Sequence, residues 1–237
     1  QGTKAASHLD LAAEKTASSI RSVMTSFLGS MEFLNDQGNI FSIRKWVEDS
    51  EDSSWLFLSS SVAQRTILNP LLSAWFSIAI RSLLQLEPDL ARRLWFVVDE
   101  LPSLHRLHDF ETFLTESRKF GGCALLAAQS PAQLDMIYGK EAAKIITGNC
   151  STKVAFFEND PTVAQGISKA FGEREIFECQ EGISYGAHEM RDGVSLSKIQ
   201  RMRPVVSVTD IQSLDKNEAF VKLPGKLPIT KIKLKYV

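Results

Sequence analysis

The chain has 237 residues, 44% hydrophobic and 23% charged, the balance of a globular protein with enough apolar material for a sizeable core. A net charge of −1 argues against a broadly basic nucleic-acid-binding surface, so any DNA contact has to come from local patches or from assembly. Cys123, Cys150 and Cys179 are odd in number and show no CxxC spacing, which argues against a disulfide framework or a zinc site and favours a reducing compartment.

The near-neutral total hides an asymmetry: residues 196–237 carry a net +6 and the remainder a net −7. Residues 1–34 lack the charged head and pure apolar run of a signal peptide. The longest uncharged stretch, Thr66–Ile80, contains Asn69, Pro70 and two serines. A bilayer span takes about 18–20 mostly apolar residues, so a buried helix is predicted there, in a soluble, cytoplasmic polypeptide.

In chain order, Ile20, Met24, Phe27, Leu28, Met31 and Leu34 recur at helical spacing. A short helix over Ile43–Val47 follows Ser42, which can cap it. Trp55–Leu58 reads as a fully apolar strand of the kind buried in a parallel sheet. Asn69-Pro70 supplies an N-cap and a first-turn proline for the next helix. Leu94–Val98 is an apolar strand ending in Asp99-Glu100. A helix follows with Leu107, Phe110, Leu114 and Ser117 on one side, closed by Gly121-Gly122 as a left-handed C-cap. Cys123–Ala128 is the next strand, and Ser130-Pro131 starts another helix. Thr152–Phe157 reads as a third strand and Thr162–Phe171 as a helix. Cys179–Arg203 reads as a surface loop or extended excursion. The end alternates, with Ile232, Leu234 and Tyr236 opposite Lys231, Lys233 and Lys235. Strands alternating with helices predict an α/β fold with a mostly parallel sheet.

The strongest chemical signal is the carboxylate pair at the end of the strand 94–98. Ligands of open α/β sheets bind at the carboxyl ends of their strands. There, Asp99 could hold magnesium and Glu100 could act as general base toward water; alternatively, either one merely caps the next helix. A right-handed crossover can bring Gln129 close to Asp99, to sense a terminal phosphate or to bond a loop carbonyl. Arg118 could serve a neighbouring subunit as an arginine finger or complement its own helix dipole. His105 and His108 have helical spacing but no third metal ligand nearby. Tyr185, Arg191 and Arg201 could meet phosphates or simply be solvated. No G-x-x-x-x-G-K-[ST] loop occurs, so residues 1–237 alone are expected to bind ATP poorly.

LWFVVDELPSL (94–104), SRKFGGC (117–123) and QSPAQLDMIYG (129–139), in that order, resemble the TraD type of conjugative coupling protein. EKTASSIR, SWLFLSS, YGAHEMRDGVS, DIQSL and the closing LKYV extend the resemblance over nearly the whole chain. Such proteins are ring-forming ATPases, hexamers at the bacterial inner membrane facing the cytoplasm. They pass single-stranded DNA with its relaxase, from the relaxosome, to a type IV secretion channel. The resemblance implies a RecA-like P-loop NTPase core using ATP and Mg. It makes Asp99 and Glu100 the Walker B pair and Gln129 a sensor-like glutamine, with Arg118 reaching a neighbour's nucleotide. Residues 1–50 would end an all-helical insertion, and 51–237 would be the carboxyl-terminal portion of the motor. The family's transmembrane helices, Walker A loop and most of its helical insertion have no counterpart here, so a fragment, a split-gene product or a remnant is expected, inactive alone. A docking or assembly module and a chromosome-pumping ring ATPase are the alternative readings.

Overall fold

The computed structural model describes residues 14–34, 40–184 and 193–235. The chain packs as two compact units, Gln1–Asn149 and Cys150–Val237, each around its own apolar cluster.

In the first unit, α1 (Glu14–Leu28) lies where the spacing predicts a helix and tightens at Gly29 into a 3-10 helix, Gly29–Phe33. Val23, Met24, Leu28, Met31 and Leu34 stay exposed, so the described residues leave much of this apolar stripe uncovered. Helix α2 (Ile43–Glu48) is capped as predicted, Ser42 Oγ accepting from the Lys45 amide at 3.3 Å.

Trp55–Leu58 departs from expectation. The segment forms no ladder among the described residues. Its side chains still alternate as a strand's would. Trp55 and Phe57 are exposed and stacked, with ring centroids 6.0 Å apart, while Leu56 and Leu58 are half-buried. An apolar run can signal a strand, but a ladder needs a neighbour with free backbone groups in register.

Helix α3 (Arg65–Leu84) begins a turn before Asn69-Pro70, correcting the expected N-cap. The amides of Ile67 and Leu68 donate to Gln64 O at 3.1 and 2.9 Å, so the first turn is complete before the proline arrives. Pro70 therefore lies inside the helix, at its sixth residue, where it cannot donate an i→i−4 bond to the Thr66 carbonyl. Among the described residues α3 is the one helix long and apolar enough to cross a membrane. Its Ile80 and Leu83 are wholly buried in the core of the unit, while Ile67 and Ile78 stay exposed, so the burial predicted for this helix is confined to one face.

Strand β1 (Leu94–Val98) pairs in parallel with β2 (Gly122–Leu126), Leu94 opposite Gly122 and Val98 opposite Leu126. Between them run a 3-10 turn at Leu101–Ser103, α4 (Phe110–Glu116) and a second 3-10 turn at Ser117–Phe120. Gly121 closes the crossover at φ 82° as predicted; a Cβ there would meet Arg92 Cβ and O at 2.5 Å. Phe96 and Val98 face the core, while Trp95 and Val97 point outward. Phe76, Phe96, Phe110 and Phe113 interlock, the closest rings being Phe96 and Phe113 at 4.7 Å, near edge-on. Helix α5 (Pro131–Tyr138) is capped by Ser130, whose Oγ accepts from the Ala132 amide at 3.2 Å. Helix α6 (Lys140–Asn149) completes the unit and buries Ala142, Ala143 and Ile146.

In the second unit, β3 (Lys153–Ala155) is the third predicted strand, but its partner is antiparallel. Helix α7 (Pro161–Phe171) starts at Asp160, whose Oδ1 accepts from the Thr162 amide at 2.7 Å. Strands β4 (Glu173–Ser184) and β5 (Gly193–Pro204) form an antiparallel hairpin where a loop or extended excursion was expected. Glycines and serines weaken the strand signal, but residue-for-residue pairing and Glu178 flanked by Arg201 and Arg203 on the facing strand hold the ribbon. Helix α8 (Val208–Gln212) precedes β6 (Glu218–Lys222) and β7 (Thr230–Lys233), in the antiparallel order β3-β6-β7. Tyr236 lies outside the described residues. Lys222 Nζ donates to the last carbonyls of α7, Ala170 O at 2.9 Å and Phe171 O at 3.1 Å.

Helix α8 carries a reciprocal cap. Ser207 Oγ accepts from the Asp210 amide at 3.1 Å, and Asp210 Oδ2 accepts from the Ser207 amide and hydroxyl at 2.8 and 2.7 Å. Those bonds, the hydroxyl's first, hold the Asp210 carboxyl below its ordinary value. A depressed folded-state pKa contributes stability present above the unfolded value of about 3.9, and lost as pH falls through the folded pKa. Ser207→Ala is expected to cost about 0.5–2 kcal/mol at neutral pH and to flatten the acid limb of stability, both read by denaturant melts across pH. An unchanged midpoint with an unchanged acid limb would contradict the cap's role.

Candidate functional site

Because β1 and β2 are parallel and in register, their carboxyl ends leave the sheet at one edge. Two bonds tie the exits together: the Ala127 amide donates to Val98 O and the Leu101 amide to Ala127 O, each at 2.9 Å. Asp99 and Glu100 are the residues between those ties. These ties, with the Ser103 amide donating to Glu100 O at 3.0 Å, fix the turn that presents the two carboxylates.

Asp99 is exposed and Glu100 half-buried. Glu100 Oε1 is closed off from solvent with no hydrogen-bond partner among the described residues. A buried carboxylate oxygen without a donor costs more than most unmet acceptors, and such atoms need an explanation such as a bound ion or water. Both carboxylates line a cavity of about 370 Å³ together with Ser59, Ser60, Arg65, Asn69 and Ser103. Its apolar side comes from Leu56, Leu58, Trp75 and Phe96.

Among the described residues no group of three or more His, Cys, Asp or Glu could hold a metal, so His105 and His108 form no centre. Two adjacent carboxylates beside hydroxyls fit magnesium, which takes one or two protein carboxylates and completes its shell with water and phosphate oxygens. The polar lining fits the metal side of a magnesium nucleotide. The sequence holds no glycine-rich loop to fit the phosphates.

Gln129 lies two residues beyond the tied Ala127, at the same edge, and is exposed; it does not line the cavity. Arg118 lies at the opposite edge. It sits four residues before β2 begins, in the 3-10 turn whose end is bonded to the start of β1 through Gly121 O and the Leu94 amide at 2.9 Å. A five-residue strand is about 17 Å long, so Arg118 lies about a strand's length from Asp99 and Glu100 of its own chain, and it does not line their cavity. Arg201 is engaged with Glu178 at 3.5 Å, and Tyr185 and Arg191 lie outside the described residues. Of the closing lysines, Lys231 pairs with Glu218 at 2.7 Å, and Lys231, Lys233 and Lys235 are all exposed; Ile232 is half-buried as the alternation predicts, but Leu234, expected on its face, is exposed as well.

The place of Ser59, Ser60, Arg65, Asn69 and Ser103 in the cavity is visible only in the structure. Ser59 and Ser60 follow the apolar run that ends at Leu58, and that change from apolar to polar is the signal the sequence offers. Asn69 before proline reads as a cap, and nothing local reveals its bond to Ser103.

Residues 1–235 match the family described as type IV secretion-system coupling protein DNA-binding domain. The chain belongs to this family. Its TraD kinship rests on coupling protein TraD of Escherichia coli (strain K12), 42% identical over 229 residues, which cover 94% of this chain and 32% of that protein. Among solved structures, the unbound conjugative coupling protein TrwBdeltaN70 superposes with a TM-score of 0.79 at 30% identity, over 95% of this chain and 50% of that one. TrwB in complex with ADP and Mg2+ gives 0.77 at 29%, with the same coverage. TrwB in complex with the non-hydrolysable analogue ADPNP gives 0.79 at 30%, over 99% and 53%. This coupling-protein chain therefore spans about half the length of the solved relatives and a third of the curated one. Its fold is a RecA-like P-loop NTPase core of the α/β class, present in part.

Proposed function

We propose that this chain is the Walker B half of a DNA-translocating ATPase, moving single-stranded DNA with its relaxase into a type IV secretion channel. The carrying observation is the Glu100 Oε1 without a partner among the described residues, beside Asp99 at the carboxyl edge of the parallel pair. Relatives solved with ADP and Mg2+ and with ADPNP, and a family described by DNA binding, support the same reading.

Asp99 would hold magnesium, directly or through water. The bound magnesium nucleotide supplies the phosphoanhydride to be broken and the charge that polarises it. Glu100 Oε1 accepts the proton of the attacking water, a role that suits an acceptor with no other donor. Gln129 orients that water or reports on the terminal phosphate from the neighbouring strand end. Arg118, a strand's length from its own Asp99 and Glu100, serves the site of the adjacent subunit in a homo-oligomeric ring, taken as a hexamer.

Residues 1–50 end the helical insertion and 51–237 belong to the motor, at the cytoplasmic face of the inner membrane. A phosphate-cradling loop must come from polypeptide outside residues 1–237, without which these residues are inactive. The test is single-stranded-DNA-stimulated ATP hydrolysis by the protein that joins them to such a loop. Stimulated turnover that depends on Glu100 supports the motor; turnover indifferent to it overturns the assignment.

A further inference from the structure

We propose that Asn69 and Ser103 are positioning residues, a relay from α3 that sets where the Glu100 carboxylate stands. The inference rests on the ATPase reading above and adds residues to it.

The bonds run in one line. Asn69 Nδ2 donates to the Ser103 carbonyl at 2.6 Å. Ser103 in turn donates to the Glu100 carbonyl twice, through Oγ at 2.7 Å and through its amide at 3.0 Å. One helical turn further along the same face of α3, Ser73 Oγ accepts from the His105 amide at 3.2 Å. The long helix thus grips the turn after the carboxylates at two points, while the Leu101 amide is pinned to the end of β2. These bonds hold the Glu100 carbonyl and the turn after it, and Asn69 and Ser103 line the same cavity as the Glu100 carboxylate.

The local sequence marks Asn69 as placed for something other than helix formation. Asparagine is a poor helix former, and a residue before proline is pushed away from helical backbone angles. Asn69 meets both penalties inside α3, yet spends its amide on a residue 34 positions away. Local rules are broken most often where function requires it. Alanine at this position would favour the helix itself, so a loss of turnover there cannot be a loss of helix propensity.

The experiment measures kcat and KM for ATP with single-stranded DNA present, in the protein that joins these residues to a phosphate-binding loop. Asn69→Ala, Asn69→Asp, Ser103→Ala and Ser103→Thr are compared with Glu100→Gln. A catalytic group displaced by about 1 Å can cost on the order of 10²-fold, so Asn69→Ala and Ser103→Ala are expected to lose roughly ten- to hundredfold in kcat, with KM nearly unchanged. The near-isosteric Asn69→Asp, which replaces the donor with a charged acceptor facing a carbonyl, loses at least as much. Ser103→Thr keeps the hydroxyl and restores turnover. Near-normal kcat in Asn69→Asp and Ser103→Ala, while Glu100→Gln collapses, overturns the relay and leaves the motor reading standing. A change confined to KM also overturns it, and normal turnover in Glu100→Gln sinks both.

Discussion

Replacing Glu100 with glutamine is expected to lower DNA-stimulated ATP hydrolysis by about 10²–10⁴-fold, the usual contribution of a positioned general base, while ATP still binds. The carboxylate and the amide are nearly the same size, and the lost property is the capacity to take a proton at Oε1, which has no donor among the described residues. Phosphate release and equilibrium binding of a fluorescent ATP analogue separate the two effects. The same variant tests the trans role of Arg118. Mixed with Arg118→Ala chains, it is expected to regain a fraction of turnover, because some interfaces then pair an intact Glu100 with a neighbour's intact Arg118. No regain in co-assembled rings would refute that role.

Phe113→Ala is the largest stability loss expected in the first unit, about 3–5 kcal/mol, the cost of truncating a buried phenylalanine. Phe113 is fully buried, edge-on to Phe96 at 4.7 Å and stacked with Phe110 at 5.9 Å. The cavity left behind lies under β1, the strand that delivers Asp99 and Glu100, so turnover should fall with stability. Denaturant melts measure the first effect. A loss below about 1 kcal/mol would mean that the neighbouring rings collapse into the space, against the range usual for close-packed cores.

The crossover from β1 to β2 was legible in the sequence because each step carries its own local signal. Five apolar residues run into Asp99-Glu100, Phe110 and Leu114 share a helix face, and Gly121 supplies the left-handed turn. Trp55–Leu58 shows the opposite case: its alternation is strand-like, but a ladder is a property of two segments and only one was being read. The antiparallel pairing of β3 with β6, against an expected mostly parallel sheet, stays hidden for the same reason. Parallel or antiparallel pairing is decided by chain topology far from Lys153. The hairpin β4–β5 stayed hidden because its pairing is a register between residues up to 31 positions apart, and no window of a few residues contains it.

The candidate site divides in the same way. Asp99 and Glu100 announced themselves by standing at the end of an apolar strand, and the parallel register then placed Gln129 at the same edge. Arg118 was legible as a residue type, but its distance from the cavity follows only from the strand length between the two edges. Asn69 and Ser103 could not be read at all. Their bond joins helix to turn across 34 residues, and Asn-Pro in isolation looks like a cap.

The most direct measurement is a structure of the protein with its phosphate-binding loop, magnesium and a non-hydrolysable ATP analogue. The account predicts the metal at about 2.0–2.1 Å from an Asp99 oxygen, or one water removed from it, with Glu100 Oε1 facing the water in line with the terminal phosphate. Magnesium and triphosphate seated away from that strand end, with Asp99 turned to solvent and Glu100 still without a partner, would contradict it.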